Sequence, residues 1–532
     1  MTSAQLIRGG TVFDGLTPDP RDVDIRIMGG HIVEIGPRLP VDGSRIVDAD
    51  SGWVLPGFVD AHSHADGGVM DGTGMETRAL AGVTTEIVGQ DGLGLSYADG
   101  LNTSLIAETI APIIGSWSRG GYSTIGDYLR DADRSAYARV ATLVPHGAVR
   151  ASVMGSKHDR ARPAEIVRMA QLTAAGLADG AAGVSTGLSY SPAIAADAAE
   201  LISVFADLPE GTPYVTHLRD YGAGMRDAIA EAALICNSTR LSLHLSHFHV
   251  SGEEREGQGE AFLAQAKDLT TGGRPITWDT YPYTSGCTFI RAILPNTSQE
   301  YTNDELVVRL TSDAQFAADT RALIDRLGPG PTVAVGWERI RLAGLASSEL
   351  VHCGLAAWDG KSVSEVAALT QRTAAEVVLD TVIATRGNAC IIVDQGYRSN
   401  VIRIAEGDGH LVGSDGIMGS GIPHPRVANS FFRFLAWAEH GTVAVSPSEM
   451  VARMTRKVAQ RFGLQVGALA VGMPADILVV DPREIEEGPE TGTYRPRAVR
   501  TSLIGGERVV ENGLWKGKEM GGLALRSRST QQ

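Results

Sequence analysis

The chain has 532 residues, 43% of them hydrophobic and 20% charged, enough for a large core and for more than one ordinary domain. Its net charge of −15, with no run of lysines and arginines, excludes a protein that tracks nucleic-acid phosphates, and no apolar stretch is long enough to span a membrane. Cys236, Cys287, Cys353 and Cys390 are scattered without a CxxC pair, and MTSAQLIRGG lacks the pattern of a signal peptide, so the expectation is a cytoplasmic protein without a disulfide framework.

In chain order, residues 1–57 read as short strands. QLIRGGTVFDG, DVDIRIMGGHIVEIG and SRIVDADSGWVLPG alternate apolar and polar residues between glycines. Residues 466–515 repeat the pattern in GMPADILVVDPR and AVRTSLIGGERVVENGLW. Domain termini often lie together, so both ends are expected to build one small β-sandwich, with two unrelated edge hairpins as the alternative. The tail, 516–532, is polar after Leu525 and is expected to fray there.

Between these ends, VLPGFVDAH, AGVTTEIVG, YARVATLVP, AAGVSTGLSY, TPYVTHLR, RLSLHLSH, RPITWDTYPY and GHLVGSD read as eight strands. Helical patterns such as PAEIVRMAQLTAAGLADG and GMRDAIAEAALICN separate them. Repeated strand-then-helix units predict an α/β fold, a closed (β/α)8 barrel of TIM type over 58–465. The stretch from Thr284 to Gly409 is too long for one crossover. It predicts an insertion between strands 7 and 8, with an inserted helical segment at about 285–345, on the side where it would cover or shape a site.

The polar residues collect at the strand ends, where barrels build their sites. His62 and His64 follow VLPGFVDA; at i and i+2 on an extended chain both imidazoles reach one ion. An HxH alone is weak evidence, but His217 and His247 also end apolar strands, and the four together read as metal ligands. His244, three residues before His247, is expected on the opposite face in a structural role. Asp415 ends the eighth strand in VGSDG. It reads as a ligand and as the catalytic group that moves protons, the alternative being a helix cap. Asp91 in VGQDG reads as a ligand or as a turn aspartate. Zinc suits these donors, as one or two ions, and other divalent metals could substitute. Tyr190, Arg219, His249, Tyr281, Tyr283 and Arg426 are candidates for substrate binding; Arg426, in HPR, is the preferred anchor for a carboxylate. His146, in PHGAVR, reads as a supporting residue.

LPGFVDAHSHAD, AGVTTEIVGQDG, DGAAGVSTGLSYSP, VTHLRDYG, LSHFHVSG, DTYPYTSG, LVGSDG, PHPR and GMPADILVVDP resemble the amidohydrolase superfamily, and within it the N-acyl-D-amino-acid deacylases, over almost the whole chain. The resemblance implies a barrel with a β-sandwich, zinc on His62, His64, His217 and His247, and Asp415 as general acid/base. A metal-bound hydroxide would then hydrolyse a C–N amide bond of a small, carboxylate-bearing substrate; no nucleic acid or membrane is expected as partner, and a homo-oligomer is compatible. The chain departs from the family pattern in several places. Asp91 stands where the family carries a metal-binding cysteine, Tyr221 where an acidic residue is expected, and His249 where a lysine often follows the histidine. The fourth strand lacks the lysine that bridges two metals in related sites. A cyclic amidase (hydantoinase- or dihydroorotase-like) or lactonase is the alternative within enzymes; a non-catalytic scaffold of the same architecture is the alternative outside them.

Overall fold

The computed structural model describes residues 4–98, 113–114, 120–252, 254–329, 333, 335–347, 350–418 and 424–528. Its central part is a TIM-barrel-like α/β fold. Phe58–Asp60, Val83–Val88 and Arg139–Thr142 form one parallel ladder. Val144–Pro145, Val184–Gly187, Pro213–His217, Ser242–Leu245, Thr277–Thr280 and His410–Val412 form a second. The Leu143 amide donates to the Val88 carbonyl at 2.9 Å, joining the ladders. On the far side the Ala61 amide donates to the Val412 carbonyl at 3.2 Å, and Ser63 and Gly416 make a parallel bridge. These strands are buried at almost every position. Helices cover one face and packed side chains fill the other, which explains near-continuous apolar runs instead of alternation.

The two ends of the chain do meet. Ile477–Val480 pairs antiparallel with Trp53–Pro56 in a seven-stranded sheet. A four-stranded sheet holds Gln5–Arg8, Asp24–Met28, His31–Gly36 and Arg45–Asp48. Ile7, Ile25, Ile27, Val54, Ile477 and Leu503 share one buried cluster between the sheets.

Two expectations need correction. The segment expected as helical over about 285–345 is not only helical, and it packs as one unit with the later part of the insertion. Ser285–Phe289, Cys390–Asp394 and Ile340–Ala343 form an antiparallel sheet. A single apolar cluster runs from Ile290 to Val393 and takes in the helices Asn303–Ser312, Ala314–Leu327 and Ala374–Thr385. Strands far apart in sequence pair here, and local periodicity does not report such pairing. The tail does not fray at Leu525 either. The Val140 amide donates to the Leu523 carbonyl at 3.0 Å, the Leu525 amide to the Val140 carbonyl at 2.8 Å, and the Ser527 amide to the Gly180 carbonyl at 3.2 Å. The segment satisfies backbone groups beside the third strand; residues 529–532 lie outside the described residues. No helix among the described residues is long and apolar enough to cross a membrane.

Candidate active site

Six side chains converge at the C-terminal ends of the strands. His62 and His64 follow Phe58–Asp60, with ring centroids 5.3 Å apart. His217 is the last residue of its strand. Asp91, His247 and Asp415 lie just beyond theirs, with φ of 55°, 30° and 49°. Left-handed backbone at a non-glycine residue costs of order 1–3 kcal/mol, and such strain gathers at sites where the surrounding fold imposes it. At Asp415 the backbone is held by its own amide, which donates to the His62 carbonyl at 2.9 Å.

The donors fall into two groups that share Asp91. His62, His64, Asp91 and Asp415 form one; Asp91, His217 and His247 form the other, and within each the ligand atoms lie within 4.8 Å of one another. Asp91 Oδ1 is 3.6 Å from His62 Nε2. Asp91 Oδ2 is 3.3 Å from His247 Nε2 and 3.7 Å from His217 Nδ1. His64 Nε2 is 3.2 Å from Asp415 Oδ1. His62 Nε2 and Asp91 Oδ1 are buried without a hydrogen-bond partner. Buried ligand atoms left unpaired within a set of four imidazoles and two carboxylates fit a divalent ion of the zinc type. Burial alone would raise the Asp91 carboxyl, but the facing His62 and His247 hold it well below the usual carboxylate range. Asp415 behaves likewise: Arg426 and the hydrogen bond from His64 outweigh burial and keep it ionised.

The second nitrogen is steered in three of the four imidazoles, His62, His217 and His247. Ser189 Oγ lies 2.8 Å from His217 Nε2, and the Tyr221 hydroxyl 3.2 Å from His247 Nδ1. The main support is Asp279, fully buried on the seventh strand. Its Oδ2 lies 3.4 Å from His62 Nδ1 and 2.9 Å from His244 Nε2, and its Oδ1 accepts the His247 amide at 2.9 Å. His244 therefore does not face away from the site; it is structural, but it points inward behind it. Asp60 accepts the amides of His62 at 3.1 Å and Ser414 at 2.9 Å, and pairs with Arg78. Sequence reasoning missed Asp60 and Asp279. The available signal was a carboxylate inside an apolar strand (FVD, TWD), which is costly unless the fold pairs it.

The cavity over these groups is lined by Tyr190, Tyr221, His249, Tyr281 and Arg426 together with His64, Asp91, His217, His247 and Asp415. Tyr190 packs on His217 at 4.6 Å between centroids, and Tyr221 stacks on His249 at 4.2 Å. Burial pushes His249 down to about 3, so it is neutral. Arg426 Nη1 lies 2.7 Å from Asp415 Oδ2, with its guanidinium over Tyr281.

Three expected members stand elsewhere. Arg219 is consumed by Glu231 and by the carbonyls of Leu188, Ile194 and Ala196, and it faces a neighbouring cavity. Tyr283 lies against Arg433 and His424 and is not among the residues lining the site. His146 starts the helix His146–Met154, packed on Phe205 and 3.8 Å from Glu200. It touches none of the candidate ligands in any described contact, because the helix turns it away from the strand end.

The model of the Amidohydrolase family matches residues 45–510. The D-aminoacylase of Alcaligenes xylosoxydans xylosoxydans is 27% identical over 530 residues, covering 98% of this chain and 97% of its own. The N-acyl-D-glutamate deacylase of the same organism is 28% identical, covering 90% and 87%. A crystal structure of a D-aminoacylase superposes with a TM-score of 0.79 at 25% identity, covering 98% of this chain and 99% of that one.

Proposed function

The chain belongs to the amidohydrolase family, and on that premise we propose that it is a zinc-dependent deacylase of N-acyl-D-amino acids. The observation that carries the reading is the placement of Asp415 between His64 and Arg426, beside a carboxylate shared by two groups of imidazoles. His62, His64, Asp91, His217, His247 and Asp415 would hold one or two ions. Bound there, zinc supplies Lewis acidity toward the amide carbonyl and toward an attacking water.

The remaining work belongs to the side chains. Asp415 accepts a proton from the attacking water and returns it to the leaving nitrogen as the C–N bond breaks, so the products are a carboxylic acid and a free amine. Arg426 keeps Asp415 ionised and oriented, and with Tyr281 it presents the positive and polar wall that a substrate carboxylate needs. Tyr190 and the Tyr221–His249 stack close the cavity with neutral, largely apolar surface, which excludes bulk water.

The architecture in this reading is a (β/α)8 barrel over 58–465 with its β-sandwich from 1–57 and 466–515. A reducing, cytoplasmic setting is proposed with it, on the ground of four free cysteines.

The deciding experiment is hydrolysis of paired N-acetyl-D- and N-acetyl-L-amino acids by zinc-reconstituted protein, with metal content read on the same preparation. Release of the D-amino acid alone is expected. A metal-loaded protein that cleaves neither enantiomer but opens cyclic amides or lactones would overturn the reading.

A further inference from the structure

The cavity over the candidate ligands is small, about 60 Å³. A second cavity of about 610 Å³ adjoins it, and Ser189 and Ala292 line both. We propose that this second cavity receives the acyl group of the substrate, and that the enzyme therefore prefers N-acyl-D-amino acids with an extended apolar acyl chain over N-acetyl ones. The inference rests on the deacylase reading and deepens it.

Direction comes first. Arg426 and Asp415 stand at one end of the ligand cluster, and His217, bonded to Ser189, at the other, with Asp91 between them. A scissile amide over the cluster has two halves. The amino-acid half carries the carboxylate and is drawn toward Arg426. The acyl half then points toward His217 and Ser189, the wall common to both cavities.

Chemistry agrees with this direction. The second cavity carries the carboxylates of Asp220, Asp227 and Glu231 against the single guanidinium of Arg219. That guanidinium is already bonded to Glu231 and to three carbonyls. Asp220 accepts the amides of Gly222 and Gly224. Among the described residues that line it, no cation is free to bind an anion, and the excess negative charge repels one, which disfavours the carboxylate-bearing half. Leu188, Ile194, Ala198, Leu234 and Leu294 supply the apolar wall. The volume is of the size of ordinary small-molecule pockets, roughly 300–1,000 Å³, whereas the cavity over the ligands holds little beyond the reacting groups.

The test is a series of N-acetyl-, N-hexanoyl- and N-decanoyl derivatives of one D-amino acid with zinc-loaded protein. The expected result is a kcat/KM that rises at least tenfold from acetyl to decanoyl, mainly through KM. Ala198→Trp, which places an indole in the second cavity from the first turn of the helix Ala198–Phe205, should collapse the decanoyl-to-acetyl ratio toward one. Leu234→Glu should lower the same ratio; this side chain is 52% exposed, so the substitution is compatible with folding. A flat chain-length profile in a protein that does cleave the acetyl substrate overturns the acyl pocket and leaves the deacylase reading standing. Cleavage of none of the three by metal-loaded protein overturns both.

Discussion

Arg426 is the counter-ion of Asp415. Its Nη1 lies 2.7 Å from Asp415 Oδ2, its Nη2 donates to the Cys287 carbonyl at 3.0 Å, and both side chains are buried. An arginine that the motif HPR suggests as an anchor for substrate thus also governs the group proposed to move the proton.

Arg426→Ala should therefore lower kcat as well as raise KM, with a combined loss in kcat/KM of roughly 100-fold or more, corresponding to about 3 kcal/mol. Breaking a buried pair by removing one partner costs about 3–5 kcal/mol, so the melting temperature should fall too. A KM defect with normal kcat would leave Arg426 as an anchor only.

Asp415→Asn should lose about 10²–10⁴ in kcat while the imidazole ligands retain metal. Steady-state rates and metal content on one sample check this; near-normal turnover with metal bound would remove Asp415 from proton transfer.

Asp91 faces His62 with one oxygen and His247 with the other. Asp91→Ala should therefore reduce the metal bound per chain, measured by elemental analysis after dialysis against a fixed free zinc concentration. Unchanged metal content and rate would make Asp91 a turn residue.

Asp279 touches no group proposed to react, and acts through His62, His244 and the His247 amide. Losing an outer partner of metal-ligating histidines typically costs 10–100-fold in metal affinity. Asp279→Ala should weaken zinc binding by about that factor, and Asp279→Glu should restore part of it. A variant with normal zinc affinity but a lower melting temperature would make Asp279 purely structural.

His146 gives a pH signature. Burial, assisted by the Arg150 charge, pushes it from 6.5 to about 3. The folded-state value is depressed, so between these limits the unfolded chain binds the extra proton. Stability on this account is intact above about 6.5 and declines as pH falls toward 3, at up to about 1.4 kcal/mol per unit. His146→Phe removes that decline. Its unfolding free energy relative to the parent should improve by about 2 kcal/mol between about pH 8 and pH 5, read by urea titration. A difference independent of pH would show that His146 does not titrate on unfolding.

The order of the ligand-bearing strands was legible because each strand is a short apolar run ending in a polar residue, and burial on both faces requires that composition. The meeting of the two termini was legible from alternating patterns at both ends. The three-stranded sheet of the insertion was not, since Ser285–Phe289 pairs with Cys390–Asp394 across a hundred residues of intervening chain. Arg219 and Arg426 look alike as arginines in loops; only their surroundings separate one saturated by carbonyls from one facing the site.

The sequence by itself determined the donor types, their order and their place at the ends of strands. The tertiary structure decided where they point. The two-residue period that predicts side-chain direction holds inside a regular strand, and Asp91, His247 and Asp415 lie just past theirs with left-handed backbone. There the direction of each side chain is set by how the loop is held against its neighbours, through contacts such as the Asp415 amide on the His62 carbonyl and Asp279 on the His247 amide, and those exist only once the strands have closed around the site.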